Sequence, residues 1–340
     1  MARTHRSILL IAPAFHGYGA SIAGALRRAG HDVALHAYDA HARLGHKLRT
    51  KLVHELPSRL GSRSGEVALQ RMLTARAVAA VAATRADVII TVKGDVLGTD
   101  YWEAVDDSGA CQLLWLYDEL ARMQFDEAVI ASRPSIVSYS PHDVHSLEMR
   151  GLRVGHVLDA FDHSLAFDPR PSDEVVFVGA RYPERERLLL ALHRSGVPVK
   201  AYGRDWSGHP VDRLRTWRVR SPDVPNGRDV PRAVAYGITA GAVAALNSHT
   251  DQDGFTMRTY EIPGTGGLQL IDRPDVAQVY EPGKEVLVFE SDDELVELSR
   301  RAQVDRGWAR AIADRGHERT LAEHTFDHRV PLLEAAWDTV

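Results

Sequence analysis

The feature that most constrains this chain is a repeated alternation. Short apolar runs end in glycine or charged residues and are followed by helical stretches. The runs are Ser7 to Pro13, Asp32 to Tyr38, Asp87 to Val92, Gln112 to Leu116, Ile136 to Tyr139 and Val154 to Leu158. They resume with Val175 to Gly179, Val199 to Gly203, Val243 to Leu246, Leu268 to Ile271 and Val286 to Phe289. Continuous apolar runs bury both faces of a strand, which is the condition of a parallel sheet covered by helices. The pattern therefore predicts α/β architecture of the doubly wound kind.

Helix signals fill the intervals. Ser21 to Ala29 reads as a helix stopped by Gly30, and Glu66 to Thr84 as an alanine-rich one. Ser140, Pro141 and Asp143 form an N-cap, a first-turn proline and an acidic first turn, and Gly151 closes that helix. Glu184 to Ser195 and Val230 to Thr239 follow, then Thr256 to Ile262, cut by Pro263; helices run from Asp292 to the end. Residues 40–65 read as a long basic excursion and 205–229 as loop-rich.

A chain of 340 residues has the length of about two domains. The polar, proline-containing stretch Pro169 to Asp173 is the natural linker. It divides the chain into a first domain at 1–168, a second at 173–318 and a terminal helix at 319–340. A net charge of −5 gives no footprint for nucleic acid. The single cysteine, Cys111, excludes an internal disulfide framework and a cysteine zinc cage, and it fits a reducing, cytoplasmic setting. The apolar stretch from Ile8 to Phe15 is short for a signal peptide and leads into Gly17 and Gly19, as a buried first strand would. No apolar run is long enough to span a bilayer.

Ligands of open α/β sheets bind beyond the carboxyl ends of the strands. The densest chemistry there is Asn247-Ser-His-Thr-Asp-Gln-Asp-Gly-Phe-Thr-Met-Arg-Thr-Tyr-Glu-Ile-Pro-Gly-Thr-Gly-Gly267. A helix start within it suits a phosphate. Arg258 adds a forked cation, and Glu261 shares its helix face. Gly264, Gly266 and Gly267 would let backbone approach a ligand. The plain alternative is a surface Arg–Glu pair on a helix that ends at a glycine turn. Asp251-Gln-Asp253 also spells a pair of carboxylates able to hold a divalent cation. Seventeen histidines include no metal-binding spacing, and His142 and His145 read as structural. Lys93, Asp95, Asp118 and Glu119 follow strands of the first half, where any of them could orient a hydroxyl.

The run Met257-Arg-Thr-Tyr-Glu-Ile-Pro-Gly-Thr-Gly-Gly-Leu-Gln-Leu-Ile-Asp272 resembles the donor-site signature of CgeB-like glycosyltransferases. So do Tyr280-Glu-Pro-Gly-Lys-Glu-Val, Asp292-Asp-Glu-Leu and His324-Thr-Phe-Asp-His-Arg329. The likeness covers most of the second half and extends distantly to group-1 glycosyltransferases. It implies a GT-B fold, two Rossmann-like domains facing a cleft, with the terminal helix at 319–340 crossing back to the first domain. The implied function is transfer of a sugar from a nucleoside-diphosphate donor, UDP- or TDP-linked, to an acceptor hydroxyl. No other cofactor and no metal would be needed, and retention of anomeric configuration is favoured.

Position by position, the resemblance implies that Glu261 holds the ribose and Asp253 touches the sugar. Asp253 stands where the wider group has glutamate. Gly179, Arg181 and Arg185 would meet the diphosphate with Arg258, and Asn247, Gly266 and Gly267 would complete the donor site. Tyr202 and Gly203 either pack on the base or belong to the core. In the first domain, His16 in the first turn lines the acceptor side, and Asp118 is the base if the reaction inverts. A nucleotide-sugar epimerase and a non-catalytic nucleotide-sugar binder remain as alternatives. A dinucleotide enzyme fits less well, because Ile22 breaks the Gly-rich fingerprint and Asp39 is the one acidic residue near the end of the second strand. The basic residues 43–63 could meet anionic lipid if the acceptor is lipid-linked.

Overall fold

A computed structural model describes residues 5–40, 63–216 and 222–338. The chain forms two compact units. One holds the described residues up to Leu158 together with those from Phe326 on, and the other is Asp159–Thr325.

The first unit is a parallel sheet of β1 (Ser7–Ala12), β2 (Asp32–Ala37), β3 (Val88–Val92), β4 (Cys111–Trp115), β5 (Ile136–Ser138) and β6 (Val154–His156). Its spatial order is β2-β1-β3-β4-β5-β6, so the winding reverses between β1 and β3. β1 is buried from Ile8 to Ala12 and packs with Ile89, Trp102, Leu114 and Ile136 in one core.

The second unit is a parallel sheet of β7 (Val175–Val178), β8 (Val199–Tyr202), β9 (Asn226–Gly227), β10 (Ala244–Asn247), β11 (Gln269–Ile271) and β12 (Leu287–Val288). Its order, β12-β11-β10-β7-β8-β9, is the doubly wound dinucleotide-fold order, with the reversal between β7 and β10. Phe177, Leu189, Trp206, Leu246, Leu270 and Ile312 fill its core. The apolar runs thus became parallel strands, with β3 and β5 buried throughout and the edge strands β2 and β6 partly exposed.

Several expectations need correction. The boundary falls at Leu158, not in the proline-containing stretch near 170. Arg170 N–H donates to Gly237 O (2.8 Å) and Ser172 N–H to Gly241 O (2.8 Å), so this stretch is pinned to helix Arg232–Gly241. Arg232 also bonds Asp162 at 3.0 Å. A side chain at Gly237 or Gly241 would strike the backbone of 168–170.

The return to the first unit begins at Phe326 rather than 319. There Arg28 holds Asp327 (2.6 Å), His31 meets Glu334 (2.9 Å), and the Ser135 hydroxyl donates to Ala336 O (2.9 Å). Helix Arg258–Gly264 runs through Pro263 instead of stopping before it. Near the end of so short a helix, the missing N–H costs little. Gly266 N–H closes onto Pro263 O and Gly267 N–H onto Ile262 O, a Schellman closure with Gly266 left-handed (φ 78°).

Helices Thr99–Asp107 and Glu127–Ala131 were not anticipated, nor were Pro210–Thr216 and the edge strand β9 within the loop-rich stretch. Of the basic excursion at 40–65, residues 41–62 lie outside the described residues, as do 217–221.

Candidate functional site

In the second unit the winding reversal brings the ends of β7 and β10 together. Arg185 spans them. Its Nε and Nη2 donate to Ser248 O (3.1 and 2.8 Å) and its Nη1 to Ala180 O (3.3 Å), while its guanidinium lies 4.7 Å from the Tyr182 ring centroid. It is thus a staple between two strand-end loops. Arg181 makes a bidentate pair with Glu186 (2.9 and 2.8 Å), and its side chain is only 12% exposed.

Gly179 takes the Trp206 indole N–H on its carbonyl at 2.9 Å. A Cβ on Gly203 would lie 2.4 Å from that same oxygen, so glycine is required by packing. Tyr202 is half-buried, with Gly227 pressed against its ring.

After β10 the chain enters helix Arg258–Gly264, which is buried from Thr259 to Gly264. One helical turn sets Arg258 and Glu261 side by side, with Nη1 2.5 Å from Oε2. Glu261 is 2% exposed and Arg258 29%, so the carboxylate is the floor and the guanidinium reaches solvent. The other carboxylate oxygen accepts the Tyr236 hydroxyl at 2.9 Å. Tyr236, on helix Arg232–Gly241, was not singled out in the sequence. The contact spans 25 residues and leaves no local pattern.

Asn247 lies beneath this helix. It is buried, and its amide donates to Thr259 Oγ1 (3.2 Å) and Gln269 Oε1 (3.0 Å). The structure therefore gives it a supporting place instead of a ligand-facing one. Gly266 is the left-handed residue of the helix closure, and Gly267 packs on Thr239, where a Cβ would meet Cγ2 at 2.8 Å. Gly264 faces the Phe161 ring at 2.4 Å in the same sense. All three glycines are explained by packing and turn geometry.

His249 is buried, with Nε2 3.1 Å from Thr259 Oγ1 and Nδ1 3.5 Å from Asp272. Burial pushes the Asp272 carboxyl up. The His249 backbone N–H, its nearby ring and Ser248 together outweigh burial and hold the carboxyl below its ordinary value. Asp253 sits exposed on the loop leading to Arg258.

In the first unit the ends of β1, β3 and β4 carry three of the four left-handed residues other than glycine found among the described residues: His16 (φ 45°), Lys93 (φ 60°) and Tyr117 (φ 55°). The fourth, Thr250 (φ 57°), follows β10. Such strain gathers at binding edges of rigid folds. His16 is exposed. Asp118 bonds Lys93 Nζ at 2.7 Å and takes the Glu119 N–H at 3.0 Å. Asp39 takes the Ala14 N–H at 2.5 Å, which gives it a turn-holding place. Among the described residues no three His, Cys, Asp or Glu side chains gather as a metal site, and no helix is long and apolar enough to cross a membrane.

Similar architecture exists among solved structures. The chain matches Anabaena HepE, solved with UDP-glucose, over 99% of its own length and 100% of that chain (TM-score 0.66, 12% identity). It matches sucrose-phosphate synthase of Thermosynechococcus elongatus over 98% and 99% (0.61, 13%). It matches AviGT4, a glycosyltransferase involved in avilamycin A biosynthesis, over 98% and 99% (0.58, 13%). Two parallel six-stranded sheets with flanking helices, in these matches, define the GT-B fold. Residues 182–335 match the family model described as glycosyl transferase-like. No curated protein matches the sequence.

Proposed function

We propose that this protein is a CgeB-like glycosyltransferase that moves a sugar from a nucleoside-diphosphate donor to an acceptor hydroxyl. The observation that carries the reading is the Arg258–Glu261–Tyr236 group, set on a buried helix beyond β10 in a GT-B fold and within the segment matched by the glycosyl transferase-like model. A carboxylate can accept about four hydrogen bonds, so one oriented by Tyr236 and Arg258 is suited to a pair of ribose hydroxyls. HepE was solved with UDP-glucose, which makes UDP-sugars the first donors to test and TDP-sugars the second.

In the reaction the acceptor oxygen bonds to the anomeric carbon as the bond from that carbon to the diphosphate oxygen breaks. The acceptor proton passes to the departing phosphate. Negative charge grows on the diphosphate, and a preorganised cation there lowers the barrier. Arg258, which reaches solvent, is the better placed cation. Arg181 is turned onto Glu186, and Arg185 chiefly shapes the loops that would receive the phosphates. Asp253 contacts the sugar, and His16 and Asp118 border the acceptor. We read the reaction as metal-independent, with arginine in the role of the cation, and as retaining, a course that needs no dedicated base.

The test is calorimetric titration of wild type and Glu261→Ala with UDP, TDP, GDP and NAD, followed by turnover of the matching sugar donors. Binding of one nucleoside diphosphate, lost in the variant, with transfer of its sugar, is the expected result. Binding without turnover would favour a non-catalytic binder. Inversion of a sugar centre without an acceptor would favour an epimerase. Binding of NAD alone would overturn the reading.

A further inference from the structure

The loop from His249 to Phe255 is held by the two residues that follow β11. Asp272 grips its start. The carboxylate accepts the His249 backbone N–H (3.1 and 3.2 Å) and lies 3.5 Å from that ring's Nδ1. Arg273 grips its middle. Nη1 donates to Gln252 O at 2.6 Å and Nη2 to Asp253 O at 2.8 Å, and the guanidinium lies 5.0 Å from the Phe255 ring centroid. Asp275 braces this guanidinium through Nε (2.7 Å) and Nη2 (2.5 Å). The loop so held contains Thr250 in the left-handed region, a conformation that must be maintained by its surroundings.

We propose that Asp272 and Arg273 form a clamp that sets the position of Asp253 and thereby the discrimination of the donor's sugar, apart from its nucleotide. The proposal rests on the donor-site reading above. The nucleotide side of that site, Arg258 and Glu261, sits on a helix supported by Tyr236 and Asn247 as well as by the His249 ring on Thr259, and Arg273 touches none of these supports. The sugar side depends on a loop, and the loop's shape depends on these two residues. Arginine is needed because its planar fork can serve two successive carbonyls and a carboxylate together, whereas a lysine ammonium is a single point. Asp272 and Arg273 are positioning residues, acting through Asp253.

The test is calorimetric titration of wild type, Arg273→Lys, Asp253→Asn and the double variant. The ligands are UDP, TDP and GDP, each beside its glucose conjugate. Arg273→Lys should leave diphosphate affinity within about twofold and weaken the sugar conjugate about tenfold, the size of one or two lost hydrogen bonds. Asp253→Asn should show the same selective loss, and the double variant no more than either. If Arg273→Lys does not fold, Asp275→Asn loosens the brace alone and should give a smaller loss with the same selectivity. Equal weakening of both ligands, or no change, overturns the clamp while leaving the donor site standing. Failure of wild type to bind any diphosphate overturns both.

Discussion

The Tyr236 hydroxyl lies 2.9 Å from Glu261 Oε1, a contact between two helices that the sequence separates by 25 residues. It orients a carboxylate that Arg258 also addresses from the same helix. Tyr236→Phe removes the donor and leaves the ring in place. Stability should fall by about 1–3 kcal/mol, the cost of a buried group short of a partner. Urea unfolding would measure it, and nucleoside-diphosphate affinity should fall alongside. An unchanged midpoint and affinity would show that Tyr236 is a packing residue only.

Arg258→Ala strips Glu261 of its cation. Because Arg258 is partly exposed, the stability loss should be about 2 kcal/mol, below the 3–5 typical of a fully buried pair. Diphosphate binding should fall about tenfold or more, since a charge-assisted contact is lost. Arg258→Lys should restore stability better than binding. Full binding by the alanine variant would remove Arg258 from the donor site.

Gly264 and Gly266 fail differently when given a side chain. A Cβ at Gly264 meets the Phe161 ring at 2.4–2.8 Å, so Gly264→Ala should cost about 1–3 kcal/mol through overpacking. Gly266 has open space but φ 78°, so Gly266→Ala should cost about 1 kcal/mol of backbone strain. Phe161→Leu should rescue the first variant and not the second, as read by thermal unfolding.

Asp272 predicts an acid limit. Its folded pKa lies below the unfolded value near 3.8, so the folded form binds its proton less readily than the unfolded form. The stabilisation is complete above that unfolded value and is lost as pH falls through the folded one. Asp272→Asn should therefore narrow the difference in unfolding midpoint between pH 6 and pH 3. An unchanged acid profile would contradict the assignment.

Asp118 separates retaining from inverting chemistry. Its bond to Lys93 is partly exposed, so Asp118→Asn should cost under about 1 kcal/mol of stability. If no base is needed, donor turnover should drop less than about tenfold. A loss of 10²–10⁴ is the signature of a general base and would reverse the retaining assignment.

Much of this molecule was decided by local pattern. Unbroken apolar runs such as Ile8 to Ala12 and Val175 to Val178 could be satisfied only by parallel strands covered on both faces. The pairing of Arg258 with Glu261 follows from helical spacing alone, and the Ser140 cap from its own first turn. The tertiary fold decided what no period encodes. It attached 159–172 to the second unit through Gly237 and Gly241, and it brought Tyr236 to Glu261. It buried Asn247 beneath helix Arg258–Gly264, away from the donor-site place that the resemblance implies, and it set Asp272 and Arg273 around the loop of Asp253. It also turned Arg181 onto Glu186, although they are only five residues apart. Periodicity reports which face of an element is covered. Sheet order, close approach at a glycine and the choice among competing ion partners depend on contacts made only when distant segments meet.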